Sequence, residues 1–587
     1  MRPAEYITYR ELFDRLPTTT EVTDIFAGLN AFSTVLLASR LNTMFRQSIS
    51  SENDRELAEF QEWFAAAFFD NDTRQRLAAR FATQDPERRP VCHPQQLLNV
   101  IRLALVSGEG KEDARPDISE THRHQLGTAC LMISDLLVTQ AEGKEIQTGT
   151  ADERRMKLMT YMLAALEISK PTPFRNLLFR SYATYKIALH DPLLLMTISQ
   201  ECKGLNFEKK FVEVVGTPLM GWLSLVFGVH AMLTRFGQED FRKKPETLIL
   251  NRKTILQNPT LSQAQVDDFF DTISTEFEAL KLEIRKTRPV DERLDLVPFK
   301  AKPLLQTQPD NYACVDLSLV TEKLHNGPYF VLSNRLNETE RENVFKAWGF
   351  IFETYVNWLL KSLDGNHCAA LYTDTRWEDG DKSFDAVFVK KRMVVVMEFK
   401  GGFLRQDARY SNDVTKFMND LDTKFGVGCK QLARDIAALF PEKKAKGKLS
   451  GVPIPSNAEW VMPVMIVQDL MLETPFVNYF LNQHFQSVRA QFTVSSRVEV
   501  LPLNLIQITN LESLVEMADA LNMDVIAALH RRCRKDPLME TELRDFLSGL
   551  PEAELSCCSK KFQAVFEQCI EEMSAFLFKD YPVDPVS

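Results

Sequence analysis

Two apolar, β-branched runs, Phe384 to Val389 and Met393 to Phe399, flank a short charged break, and no other feature constrains the fold as tightly. The pattern is that of a tight hairpin. With Lys391 and Arg392 as a two-residue loop, Lys390 pairs with Met393 and Asp385 falls opposite Glu398. Cross-strand neighbours have Cβ atoms roughly 4.5 to 5.5 Å apart, a separation that suits a divalent cation held by oxygen ligands. Lys400 lies two residues after Glu398, so alternation puts its ammonium on the same face. The run Val394-Val395-Val396-Met397 is continuously apolar, as in a central strand covered on both sides, where a carboxylate needs a metal or an ion pair to offset its desolvation. The plainer alternative is a half-exposed hairpin with Lys400 as a cross-strand charge partner.

The surrounding segments predict a sheet packed between helices. Asn337-Glu338-Thr339-Glu340 has the signature of a helix start. Val344, Trp348, Phe352, Tyr355 and Leu359 then recur at helical spacing as far as Leu360. Glu353 lies beside that stripe. Cys368 to Thr373 reads as a first strand, residues 374–382 as a polar turn, Trp460 to Val467 as a fourth strand and Val498 to Ile508 as another. Cys429 to Phe440 reads as an amphipathic helix. Gly401-Gly402 would let a sugar-phosphate backbone approach closely, because no side chain intervenes.

The order Asp-x12-Glu-x-Lys across a hairpin resembles the active site of the PD-(D/E)xK nuclease superfamily, over roughly residues 345–510. Phe384 stands where the family name has proline, a departure shared by many members. The resemblance implies a restriction-endonuclease-like α/β core and Mg2+-dependent phosphodiester hydrolysis, with Mn2+ expected to substitute. It implies Asp385, Glu398 and Lys400 as catalytic residues, with the metal held by Asp385, Glu398 and the backbone carbonyl of Phe399. Glu353 matches the helical glutamate that reaches the metal in many members. Lys430 and Gln431 match positions near substrate in several branches, with a solvated first turn as the alternative. The metal would acidify a bound water, while Lys400 would stabilise developing negative charge.

The chain is acidic, with 70 Lys+Arg against 80 Asp+Glu and a net charge of -10. It therefore needs a local basic surface to hold nucleic acid. Residues 382–409 carry seven basic against three acidic side chains, and residues 430–448 carry six against two. This clustering predicts positive charge around the site and a phosphate-bearing substrate, unless Glu442 to Ser450 is only a solvated loop. His530 to Lys535 is a further basic run.

At 587 residues the chain has length for three or four units. Ten cysteines without a CxxC pair indicate neither a zinc ribbon nor a disulfide framework. Absence of an apolar signal core at residues 1–6 leads to the expectation of a reducing cytoplasm. Val214 to Leu233 has no charged residue, a span-like length. Pro218, Ser224, His230 and three glycines favour a buried helix instead, with His230 a satisfied core histidine. His122-Arg123-His124 reads as surface.

The expected organisation is a helical recognition or regulatory region over 1–290, and a connector with a small β segment over 291–336. The nuclease-like domain follows over 337–510, and a helical segment over 511–587. Capping boxes at Thr150 and Ser262 open helices in the first region, the second running on through Ile284. The functional expectation is a metal-dependent endonuclease, DNA ahead of RNA as substrate, with prokaryotic defence or restriction as the biological analogy. The helical region is the expected surface for a homo-oligomer or protein partner, and no membrane partner is expected. The alternative is a non-catalytic nucleic-acid-binding or scaffold protein on a retained nuclease fold.

Overall fold

The structure, a computed structural model, describes residues 6–50, 54–81, 90–108, 119–137, 146–169, 171–234, 249–255, 260–286, 288, 290–442, 447–550 and 559–577. It is helical, with two mixed sheets of four and six strands.

The smaller sheet has the order β1-β4-β3-β2, with β1 Ile249–Asn251, β2 Ser274–Glu276, β3 Leu304–Gln308 and β4 Asn311–Cys314. It draws strands from both sides of residue 290. The predicted helix from Ser262 to Ile284 is therefore broken. Its capping box forms, but the helix ends at Ile273, and Ser274 to Glu276 pair in parallel with Leu304 to Gln306 before a second helix, Phe277–Ile284. The apolar period survives the break because both helices bury their phenylalanines. The small β segment expected within 291–336 is formed by β3 and β4, and Leu317–Thr321 and Gly327–Arg335 are helices. The proline-rich connector is likewise packed, with Phe299 fully buried.

Among the described residues no single helix is long and apolar enough to cross a membrane, although Phe207–Val215 and Leu219–Thr234, bent by 60°, meet the length and composition test as a pair. The second of these helices is packed inside the protein. His230 at its end stacks on Phe174 with ring centroids 3.7 Å apart, but its Nδ1 has no hydrogen-bond partner among the described residues. It is thus a packed histidine rather than a satisfied one. His122, expected at the surface, is buried against the Thr34 hydroxyl at 3.1 Å.

The larger sheet contains β5 Ala370–Thr373, β6 Ala386–Lys390, β7 Met393–Lys400, β8 Trp460–Val467, β9 Glu499–Val500 and β10 Asn504–Gln507. The order is β10-β8-β7-β6-β5, with β9 also on β8. The hairpin forms in the predicted register, from Lys390 opposite Met393 to Ala386 opposite Met397, and Lys391 takes the left-handed turn conformation with φ 52°. β8 pairs with β7 in parallel and β6 pairs antiparallel, so β7 is enclosed on both edges. Val394 and Val396 face a layer containing the helices Val427–Leu439 and Val477–Arg489. Val395, Met397 and Phe399 face the helices Glu338–Leu360 and Ile508–Leu521. Both faces of β7 are therefore dry, which explains why its sequence is apolar throughout rather than alternating. The single strand read at Val498 to Ile508 is two short ones, β9 and β10, separated around Pro502, which has no N–H to give to a ladder.

Candidate functional site

The C-terminal end of β7 places Glu398 and Lys400 on the same side as Val394 and Val396, facing the Val427–Leu439 helix. Lys400 Nζ donates to Glu398 Oε1 at 2.7 Å. The other carboxylate oxygen, Glu398 Oε2, is buried and has no hydrogen-bond partner among the described residues. Gly428 is what lets the helix lie so close. A Cβ there would stand 2.9 Å from Lys400 Cε and 3.5 Å from Glu398 Cγ.

Asp385 sits one residue beyond the regular ladder. Its N–H donates to the Met397 carbonyl at 3.0 Å, and its Oδ2 accepts the Phe399 N–H at 2.7 Å. The expected face-to-face pairing with Glu398 is thus replaced by a shift in which the Asp385 carboxylate is fastened to the backbone of β7. On the other edge, the Lys400 carbonyl accepts from Gln468 N–H at 3.3 Å. Because successive peptides of a strand point opposite ways, the Phe399 carbonyl faces the Asp385 side.

Glu353 comes from the opposite layer and reaches the end of the sheet through a residue to which sequence reasoning gave no role of its own. Lys382 Nζ lies 2.8 Å from Asp385 Oδ1 and 3.3 Å from Glu353 Oε2. Its ammonium joins the two acids. In the sequence Lys382 counts only as one of a basic cluster, and its position three residues before Asp385 is the signal that could have singled it out.

Burial, with Asp385 adding like charge, pushes Glu398 up to about 8 against the pull of Lys400 and Lys382. Burial and Asp385 also push Glu353 up to about 7, with Lys382 opposing. Perturbed carboxylates at a strand end are a mark of functional sites, though ion-pair networks also produce them.

The other predicted residues divide. Gly401 is packed rather than open, since a Cβ would meet the Phe352 side chain at 3.0 Å, whereas at Gly402 nothing lies within 4 Å. Lys430 is exposed and Gln431 half-buried in the first turns of the Val427–Leu439 helix. Both line a cleft of about 390 Å3 with Val427, Arg434 and Phe492. Arg434 also lines a second cleft, of about 640 Å3, with Trp377, Asp381, Lys382, Asp435 and Lys448. Arg434 and Asp435, which sequence reasoning only counted in the second basic cluster, are paired at 2.7 Å, with Asp435 Oδ2 buried and unpartnered among the described residues. Of the basic loop, Lys443, Lys444 and Lys446 lie outside the described residues.

The basic field expected from residues 382–409 is largely neutralised. Besides Lys382 and Lys400, Lys390 pairs with Asp524, Arg392 with Glu459, Arg405 with Asp420, and Arg409 with Glu167 and Asp469. Acids distant in the sequence supply the counter-charge. Lys390, Lys391 and Arg392 moreover sit at the far end of the hairpin, roughly 17 Å or more from the site at about 3.4 Å per residue.

Among the described residues no group of three or more His, Cys, Asp and Glu side chains is arranged as a metal-ion ligand set. The donor chemistry nevertheless fits a hard dication: two neighbouring carboxylates, one with a buried oxygen lacking any donor, and a backbone carbonyl on the same side. Comparison with known proteins adds no relative: no family model, curated protein or solved structure matches the chain.

Proposed function

We propose that the chain is a metal-dependent nuclease with a restriction-endonuclease-like core, hydrolysing phosphodiester bonds in nucleic acid, DNA in preference to RNA. One observation carries this reading: Asp385, Glu398 and Lys400 converge at the end of two buried adjacent strands, with Glu398 Oε2 buried and unpartnered. An unmet buried oxygen costs about 1 to 3 kcal/mol, and beside a second carboxylate and a lysine that cost supports a binding role for it.

Asp385, Glu398 and the Phe399 carbonyl would hold Mg2+ or Mn2+, with Glu353 reaching the same point once Lys382 lets go. A bound cation supplies charge that stabilises the phosphoryl group and makes a nearby water a better nucleophile. The remaining steps belong to the chain. Lys400, now held by Glu398, would turn its ammonium toward the phosphate oxygen where negative charge develops. The half-buried setting of the pair excludes bulk water and so strengthens that interaction. Glu353, held near neutral pH, could keep or release a proton beside the reacting water. Gly402 leaves room for a strand to approach, and Lys430 and Gln431 face the neighbouring cleft. A role in prokaryotic defence belongs to this proposal only as analogy.

A binding or scaffold protein without catalysis is the second reading. The Lys382 bridge favours it, because an ammonium already neutralises Asp385 and Glu353. Incubation of purified protein with plasmid, linear duplex, single-stranded DNA and RNA, with Mg2+ or with chelator, separates the two. Metal-dependent cleavage lost in Glu398→Ala and in Lys400→Ala, with nucleic-acid affinity kept, is the expected result. Full activity in Lys400→Ala would sink the mechanism, and affinity without any cleavage would favour the scaffold.

A further inference from the structure

A cavity of about 270 Å3 lies between the segment 297–302, the helix Gly327–Arg335 and the segment following β7. One wall is a closed network of charges. Glu167 takes Lys300, Arg409 at 3.2 Å and the Tyr410 hydroxyl at 2.5 Å. Asp469 takes Arg409 at 2.6 Å, and Glu322 takes Lys300 at 3.1 Å. Those cations are fully answered by acids.

Three others around the same cavity are not. Lys302 Nζ donates to the Asp271 carbonyl at 2.6 Å and Lys323 Nζ to the Ala301 carbonyl at 3.2 Å. Arg335 donates to the Val214 carbonyl at 3.0 Å and the Thr272 hydroxyl at 2.9 Å. Among the described residues none of the three has a carboxylate within ion-pair distance. Burial presses Lys323 down to about 8, with Glu322 opposing and Lys300 and Lys302 adding like charge, and burial with Arg335 presses Lys302 down against the pull of Asp271. Glu322 and Asp271 act on Lys323 and Lys302 only from beyond ion-pair distance, so three cations face the cavity with no carboxylate held against them. The rest of the wall is mixed, with Phe330 and Leu404 apolar and Asn326 and Gln406 offering amides.

We propose that this cavity binds a phosphate monoester carried on a small organic frame, no larger than a mononucleotide. A monoester brings about -1.5 to -2 charges and three acceptor oxygens at neutral pH, which matches three unanswered cations. Arg335 offers the fork geometry that phosphate takes in bidentate fashion. The volume falls just under the roughly 300 to 1,000 Å3 of small-molecule sites, so it admits a small molecule and no polymer. The apolar and amide groups then hold the frame. Leu404 and Gln406 belong to the stretch that leaves β7 after Lys400, so a bound ligand would touch the backbone running out of the candidate catalytic strand.

Calorimetric titration of the full chain with inorganic phosphate, ribose 5-phosphate, AMP and adenosine tests the site without any cleavage assay. The expected result is one site per chain for ribose 5-phosphate or AMP, weaker binding of inorganic phosphate and none of adenosine. Affinity for the esters should fall about tenfold or more in Lys323→Met and in Arg335→Gln, and stay unchanged in Lys391→Gln, which lies at the distant hairpin turn. Should Lys323→Met fail to fold, the exposed Arg335 carries the test. The proposal is overturned if neither ester binds, if adenosine binds as well as AMP, or if both variants bind like wild type. Inorganic phosphate binding as tightly as both esters would remove the organic frame.

Discussion

Two side chains two residues apart on the helix Glu338–Leu360 reach two different buried charge clusters. Tyr355 donates to Glu512 Oε1 at 2.7 Å, and Arg180 grips the same carboxylate through Nε at 2.7 Å and a second nitrogen at 2.9 Å, with Asn176 adding a donor to Oε2 at 3.2 Å. Both oxygens of Glu512 are answered. Glu353, by contrast, leads to Lys382, Asp385 and Glu398, where one oxygen is buried without a donor and two carboxylates are pushed up toward neutral pH. A cluster that holds a fold together closes on itself, because an unmet buried group costs about 1 to 3 kcal/mol. A cluster left open at that cost retains binding capacity for something outside the chain.

The sharpest test of this contrast is stability. Arg180→Met strands the Glu512 carboxylate and should cost roughly 3 to 5 kcal/mol in denaturant unfolding. Glu398→Gln should cost far less or stabilise. Equal losses would erase the distinction.

Gly428→Ala should leave stability within about 1 kcal/mol, since alanine favours a helix by about that amount and the atoms it meets are the flexible ends of Met465 and Lys400. On the proposed mechanism cleavage should fall about tenfold or more, because Lys400 would be displaced from the place where it is to meet the phosphate. Unchanged cleavage would mean that the orientation of Lys400 does not matter.

The pH dependence sharpens the comparison next. The folded pKa values of Glu353 and Glu398 lie near 7 and 8, above the ordinary carboxylate value of 4.5. The folded state therefore binds more protons than the unfolded one, and stability falls as pH rises from about 5 through 8. Thermal melts in chelator should show that fall. Glu398→Gln should flatten its upper part, raising the melting temperature more at pH 8 than at pH 5. Parallel melts of variant and wild type would assign the dependence to other groups.

Smaller effects concern the metal. Lys382→Met frees Asp385 and Glu353 and should tighten Mn2+ binding roughly fivefold, the equivalent of about 1 kcal/mol for a partly exposed ion pair. Asp385→Asn should weaken it, and Glu353→Gln should do so less. If Lys382→Met weakens Mn2+ binding, the ammonium is a support for the site and not a competitor. The smallest expected change is in Lys448→Gln, where losing one phosphate contact should reduce the salt slope of DNA binding by about 0.7 to 0.9.

The hairpin, its register over 386–397 and the central place of β7 were legible in the sequence, because a two-residue turn at Lys391 and Arg392 sets the pairing and an unbroken apolar run marks a strand covered on both faces. So was the capped helix that carries Glu353, since Asn337 and the apolar period are local signals. What lies around the acids was not. Lys382 looked like surface charge until folding set it between Asp385 and Glu353, and the shift that ties Asp385 to the Phe399 N–H depends on where the ladder ends. The basic cluster over residues 382–409 dissolved for the same reason. Asp524, Glu459, Asp420, Asp469 and Glu167 approach them only in three dimensions, and Coulomb attraction acts on distance in space, not in sequence. Strand order and periodicity follow from neighbouring residues, whereas the charge state and openness of a site follow from groups that the chain brings in from far away.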